Sequence, residues 1–388
     1  MIDRRKDFLS FSPPSIGEEE IAQVVDTLRN GWITTGPKTH AFEKSFASSV
    51  RAPGALALSS CTAGLHMALV AGGIGHGDEV ITTPLTFCAT VNVIEHVGAV
   101  PVLADVEPET LNIDPAQVQA KITPRTKAII LVHYAGHPVD LDAFHALARI
   151  HDLLLIEDAA HALPASYKGV PIGSGGNPVS FSFYATKNLT TGEGGMLTGS
   201  EDLLERARVL SLHGMSRDAW RRYAKAGSWR YAVEVPGFKY NMSDIQAALG
   251  LEQLKKLDRF QSRRREIVAQ YIDAFGAFDG LELPIERPEV DHAWHLFVLR
   301  IRNGALKITR DEVIEALKDR NIGTSVHFIP IHIHPYYAEK YQYKPTDFPV
   351  TIDNAERMIS LPLNPSMTDQ DVRDVIDAVS DVVRQYGS

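Results

Sequence analysis

Cysteine is almost missing from this sequence: 388 residues hold two, Cys61 and Cys88. So few do not support a disulfide framework, and a reducing cytoplasm is the expected compartment. Long apolar runs are missing too. No stretch approaches the roughly 18 residues of a membrane-crossing helix. The opening MIDRRKDFLSFSPPSIGEEE has no apolar core of the kind a signal peptide carries. Basic blocks are also lacking: 39 Lys and Arg stand against 48 Asp and Glu, for a net charge of -9. That balance disfavours nucleic acid or an anionic membrane as a partner. There are no internal repeats and no low-complexity tracts.

What is present is an alternation of short apolar runs and amphipathic stretches. ALALSS (55–60) reads as a buried strand. TAGLHMALVAGG reads as the helix after it, with Leu65, Ala68 and Leu69 on one face. DEVITTPL, AVPVLADV, KAIILVHYAG (127–136) and LLLIEDAAH continue as strands, with helices expected at ATVNVIEHVG and LDAFHALARIHD. VSFSFYAT and GGMLTG add two short strands on either side of Lys187. From NMSDIQAALG to YIDAF the pattern is one long helix, opened by a capping box of Ser243 and Gln246. A second series follows: HAWHLFVLRI strand, TRDEVIEALKDRN helix, GTSVHFIP strand, and a terminal helix after Met367. The expected fold is α/β, with a large, mostly parallel sheet flanked by helices and a smaller C-terminal α/β domain. The boundary is placed near residue 250, giving 1–250 and 251–388.

The chemistry-bearing residues fall at strand ends, where open α/β sheets bind ligands. SSCTAG lies where a strand meets a helix, so free N–H groups and the Thr62 hydroxyl suit a phosphate. An ordinary helix cap is the plainer explanation of that motif alone. Asp158 ends an apolar strand and needs a partner, which a structural hydrogen bond could also supply. A lone lysine is usually a surface charge. Lys187 instead stands between FSFYAT and GEGGML, and that setting favours burial, which lowers an amine's pKa and makes it nucleophilic. A phosphate cradle, a carboxylate, a flat aromatic at Phe87 and a lysine form the inventory that pyridoxal phosphate needs.

The motifs GWITTGP, SSCTAGLHMAL, EDAAHALPASYKG, SFSFYATKNLTTGEGGML, GFKYNMSDIQAALG and HAWHLFVLRI together resemble the DegT/DnrJ/EryC1/StrS family of sugar aminotransferases. The resemblance runs nearly end to end and implies the aspartate-aminotransferase-like fold of type I pyridoxal-phosphate enzymes. It implies that Lys187 is the Schiff-base lysine and general acid–base, and that Asp158 is the partner of the pyridine nitrogen. Thr62, Ala63 and Ser182 would be phosphate ligands. Phe87 would stack on the cofactor ring and His161 would lie against its other face. Thr35 would contact substrate. Asn241 would reach the phosphate of a neighbouring subunit, making an obligate homodimer with shared sites. The implied reaction moves an amino group from L-glutamate to a nucleotide-linked keto-sugar, for cell-surface polysaccharide or lipopolysaccharide.

The sequence most resembles the branch that aminates C4 of a UDP-4-keto sugar, as in 4-amino-4-deoxy-L-arabinose. IPIHIHPYY is closer to the amino-hexose branches. A 3-keto-sugar aminotransferase, a sugar deoxygenase and a non-catalytic regulator of the same fold are the alternatives. Deoxygenases of the family replace the lysine with histidine, so Lys187 favours transamination. His327, His332 and His334 raise metal ligation. Without a carboxylate at helical spacing, a substrate-facing loop carrying His327 is preferred, and no metal is expected.

Overall fold

The structure is a computed structural model that describes residues 5–215 and 231–388. Helices α1 (Glu18–Asn30) and α2 (Pro37–Ser49) precede the expected alternation: β1 (Ala55–Leu58), α3 (Cys61–Ala71), β2 (Glu79–Thr82), α4 (Cys88–His96), β3 (Val100–Leu103), α5 (Pro115–Lys121), β4 (Thr126–Val132), α6 (Leu141–His151) and β5 (Leu154–Asp158). Next come β6 (Ser166–Tyr167), β7 (Val170–Pro171), β8 (Val179–Ser182), β9 (Gly195–Thr198) and α7 (Glu201–Leu210). The remainder comprises α8 (Asp244–Phe275), β10 (Leu281–Glu282), β11 (Val290–Asp291), β12 (Phe297–Ile301), α9 (Arg310–Lys318), α10 (Pro335–Tyr341), α11 (Pro349–Arg357), β13 (Met358–Leu361) and α12 (Asp369–Tyr386).

The central sheet has the order β1-β9-β8-β5-β4-β2-β3. Its β3, β2, β4, β5 and β8 are mutually parallel, while β9 runs antiparallel to both β8 and β1. Helices cover both faces, which is why β1, β2 and most of β4 and β5 are continuously apolar or buried. Two reversals bring β1 back into line with β8. The carboxyl ends of β1, β2, β4, β5 and β8 therefore share one edge of the sheet.

A second sheet, β10-β12-β13, packs on α9, α12 and the far half of α8. Tyr271, Phe275, Phe297, Leu361, Val375 and Val379 fill that core. Helix α8 begins with the expected capping box, in which the Ser243 N–H donates to Gln246 (2.9 Å) and the Gln246 N–H donates to Ser243 Oγ (3.3 Å). Residue 250, the proposed boundary, lies inside this helix. The near half of α8 packs on α1 and α2, where Gly250 sits so close to Phe42 that a Cβ would come within 2.5 Å of the ring.

The strand expected over GTSVHFIP does not form. Ser325 alone pairs, exchanging backbone hydrogen bonds of 3.1 and 2.8 Å with Ser360. Beyond it the chain leaves the small sheet. The Tyr134 hydroxyl donates to the His327 carbonyl, and the Ile331 N–H donates to the Pro84 carbonyl (2.8 Å). Pro330 has no N–H to continue a ladder. Nearby, VSFSFYAT is a strand only through Ser182, after which it becomes the turn that carries Lys187.

Candidate active site

A cavity of about 440 Å³ opens at the shared carboxyl edge. Asp158 forms part of its floor. The strand ending in Asp158 is held between β4 and β8, so the carboxylate emerges at the end of a buried run. Thr90 Oγ1 donates to Asp158 Oδ2 (2.8 Å), and the Ala160 N–H donates to Oδ1 (3.1 Å). Burial pushes this carboxyl up, against the pull of those two donors. Among the described residues no ammonium or guanidinium lies at ion-pairing distance from it. A cationic N–H entering the cavity would supply the missing partner.

Lys187 stands on the turn between β8 and β9. Its N–H donates to the Tyr184 carbonyl (2.9 Å). The flanks are pinned by Phe183 N–H to Gly194 O and Thr191 N–H to Phe183 O, both 2.9 Å. Burial brings the ammonium down to about 8, partly opposed by the neighbouring Cys61 and Asp158. The amine is thus poised to gain or lose a proton near neutral pH.

Helix α3 starts at the same edge. Ser60 caps it by accepting the Ala63 N–H (3.0 Å), and Ser180 Oγ donates to the Cys61 carbonyl (2.9 Å). This end is pressed onto β8 and β9. A Cβ on Gly64 would lie 2.1 Å from Ser180 Oγ, and one on Gly195 would lie 2.4 Å from the Ser60 backbone. Cys61 and Thr62, in the first turn, line the cavity opposite Ser182.

Three imidazoles close another wall. His161 lies 4.4 Å from His295 and 6.4 Å from His327, centroid to centroid, and stacks on Phe328 at 5.8 Å. Burial, with the nearby Lys187 charge, pushes all three down, His327 to about 4. Among the described residues His161 Nδ1 is buried without a hydrogen-bond partner. His327 Nδ1 meets Ser360 Oγ at 2.8 Å, and its ring stacks on Phe11 at 5.5 Å.

The cavity therefore brings together Thr62, Phe87, Asp158, His161, Ser182, Lys187 and His327. Ala63 is buried just behind, with its N–H taken by Ser60. Thr35 and Asn241 lie outside the lining. They meet each other instead, Asn241 Nδ2 donating to Thr35 Oγ1 (2.7 Å) and Thr35 Oγ1 to the Met242 carbonyl (2.5 Å). His332 is separate from His327: it is buried against Phe348 at 4.8 Å. Among the described residues no group of three or more His, Cys, Asp or Glu is placed to hold a metal. Phe11, Thr86, Thr90, His295 and Phe328 also line the cavity and were not singled out from the sequence. HAWH held one signal, a histidine pair around an aromatic.

The profile of the DegT/DnrJ/EryC1/StrS aminotransferase family matches residues 14–380. The spore coat polysaccharide biosynthesis protein SpsC of Bacillus subtilis (strain 168) is 55% identical over 386 residues, 99% of either chain. This chain belongs to the DegT/DnrJ/EryC1/StrS aminotransferase family. It is a transaminase. Among solved structures it resembles the "Putative sugar aminotransferase Spr1654" of Streptococcus pneumoniae in its PMP-form (35% identity, TM-score 0.92, covering 97% of this chain and 99% of that one). The PLP-form of the same protein matches with a TM-score of 0.90. Sugar aminotransferase CalS13 of Micromonospora echinospora follows at 31% identity and TM-score 0.86, covering 96% and 99%. The cavity of this DegT/DnrJ/EryC1/StrS aminotransferase suits the same class of cofactor. It offers a buried carboxylate with no ion-pairing cation among the described residues, a helix start beside hydroxyls, and a half-buried lysine.

Proposed function

We propose that this chain is a pyridoxal-phosphate-dependent sugar aminotransferase of polysaccharide biosynthesis. In this reading it moves an amino group from L-glutamate to a nucleotide-linked keto-sugar, at C4 of a UDP-4-keto sugar. The observation that carries the reading is Lys187, an amine brought to about 8, in one cavity with a buried carboxylate that forms no ion pair among the described residues.

Bound pyridoxal phosphate supplies an aldehyde that exchanges amines and a ring that accepts an electron pair. The chain does the rest. Asp158 would hold the proton on the pyridine nitrogen. The first turn of α3 with Thr62, together with Ser182, would hold the phosphate, with Ala63 completing that turn. Phe87 and His161 would confine the ring. Lys187 Nζ would hold the cofactor through its aldehyde, and when free would be the general acid–base that carries the α-proton away from the amino acid's Cα. The neutral imidazoles and Phe328 keep water from that atom. His327 faces the sugar.

The working unit is a homodimer. Thr35 and Asn241 belong to the partner's site, which accounts for a polar pair outside their own cavity. The exposed Trp32 and Ile33 supply apolar surface for that contact. The compartment we assign is the cytoplasm, on the scarcity of cysteine. Among the described residues no helix is long and apolar enough to cross a membrane.

The test is an assay of amine transfer from L-glutamate to a panel of 4-keto and 3-keto nucleotide sugars. Amination of a UDP-4-keto sugar supports the reading. Transfer only to a 3-keto sugar moves the position, and deoxygenated product assigns the other reaction. Lys187→Ala and Lys187→Arg should abolish transfer; near wild-type rates in either would refute the lysine's role.

A further inference from the structure

Asn188, next to Lys187, is buried and uses every polar atom of its side chain. Nδ2 donates to the Leu163 and Ala293 carbonyls, both at 2.9 Å. With both amide hydrogens so placed, Oδ1 is an acceptor, and it faces His295 Nδ1 at 3.1 Å. The proton of His295 therefore sits on Nδ1. A second proton is opposed by burial and by the cationic Lys187 and Arg264 nearby. Nε2 has no partner among the described residues, and the ring lines the cavity with Lys187.

The turn that presents His295 is held from several directions. Trp294, buried and bulky, sits at φ +47°, a left-handed conformation that costs energy for such a residue. His292 stacks on its indole at 3.9 Å and accepts the Trp294 N–H at 2.8 Å. Arg264, buried, donates through Nη1 to the carbonyls of Trp294 (3.2 Å), His295 (3.4 Å) and Leu363 (2.7 Å). The Ala293 and His295 N–H groups donate to Gly136 and Ala135 (2.9 and 3.1 Å). Packing a core does not require a strained turn pinned by a buried guanidinium. Holding one imidazole at a fixed angle does.

We propose that Asn188 and His295 are a positioning pair for Lys187: Asn188 fixes His295 as the tautomer protonated at Nδ1, and the bare Nε2 is a hydrogen-bond acceptor in the cavity for the amine being transferred. The pair deepens the reading that Lys187 carries the amine transfer, and rests on it. It also ties the lysine turn to two others, those holding His161 and His295.

Nitrogen NMR of the full-length protein labelled with ¹⁵N-histidine tests the tautomer without reference to activity. The His295 signals, assigned by their loss in His295→Asn or His295→Gln, should report a neutral ring protonated at Nδ1 at pH 7. Asn188→Ala should abolish that preference. A proton on Nε2, or a doubly protonated ring, in the wild type overturns the proposal. Kinetics test the acceptor. His295→Asn keeps a donor for Asn188 but has nothing at Nε2, and should lower kcat roughly tenfold, the loss of one hydrogen bond, with cofactor uptake and melting temperature near wild type. His295→Gln returns an acceptor to the Nε2 position and should recover part of that loss. Full kcat in His295→Asn, or equal losses in both variants matched by lowered melting temperatures, overturns the acceptor role. Lys187→Ala, assayed alongside, separates the two claims: if it stays active, the underlying reading falls whatever the tautomer.

Discussion

Thr90 donates to the carboxylate of Asp158, and Thr86 donates to Thr90, each across 2.8 Å. The second direction follows from the first, because Thr90 has one hydroxyl hydrogen and gives it to Asp158. Asp158→Asn should keep the fold and lose most transfer, since an amide cannot stabilise the pyridinium charge. Thr90→Val should weaken cofactor retention and lower kcat/KM by about ten- to a hundredfold, the range for a lost hydrogen bond to a charged group. Thr86→Val should do less. Kinetics and cofactor titration check the series, and a wild-type Thr90→Val would count against the relay.

Lys187 makes the cofactor-free chain pH-sensitive in a defined window. Its ordinary value is 10.5 and its folded value about 8. Between these the unfolded chain binds more protons, so stability rises with pH from about 8 to 10.5 and the full cost of burial is felt below 8. Lys187→Met should stabilise the cofactor-free protein at pH 7 by on the order of 2 kcal/mol, and the gain should shrink by pH 10. Denaturant melts at the two pH values decide it; a gain that does not change with pH would refute the lowered amine.

Asn241 and Thr35 should act in the partner's site. Asn241→Leu is the better probe than an aspartate, because Lys239 already contacts Asn241 Oδ1 and would neutralise a new carboxylate. Lys187→Ala and Asn241→Leu should each be inactive alone. Mixed and allowed to exchange subunits, they should recover activity, because one of the two sites in a mixed dimer carries neither defect. Verified exchange with no recovery would rule out sharing.

His327→Ala should spare amine uptake from L-glutamate and weaken transfer to the sugar by about tenfold or more. Its contacts with Phe11 and Ser360 mean some loss of melting temperature is expected too. Equal loss of both half-reactions would make it structural. Inactivation by a chelator would revive a metal.

Strand ends were legible because apolar runs broken by single polar residues report both the strand and its exit. Asp158, Lys187 and Thr62 were found that way, and they meet in space because two strand reversals align β1 with β8. Helix α8 was legible from its cap. The segment after Gly323 was not. Its alternation suits a strand, yet its partners are Tyr134 and Pro84, more than 180 residues away in sequence, and no local pattern encodes them. Thr90 and Asn188 escaped notice for a similar reason. Hydroxyls and amides are common, and their value here comes from which carbonyl or carboxylate the fold sets opposite them. The histidines of IPIHIHPYY look clustered in sequence, but the turn after His327 sends His332 into a different core.

The amino-terminal arm reaches from the small sheet to the reaction cavity. Leu9 pairs with Asn321 and Gly323, Ser12 Oγ donates to the Thr186 carbonyl (3.3 Å), and between them Phe11 lines the cavity. Arg5 adds ion pairs to Asp371 (2.5 Å) and Asp374 (2.8 Å), so the arm runs from α12 to the turn that carries Lys187. Trimming by an exopeptidase as far as Ser12 would remove a wall of the reaction chamber together with Leu9, a member of the core around Phe297. The trimmed protein would lose activity and melting temperature together, so the melting temperature of a preparation reports whether its amino-terminal arm is whole.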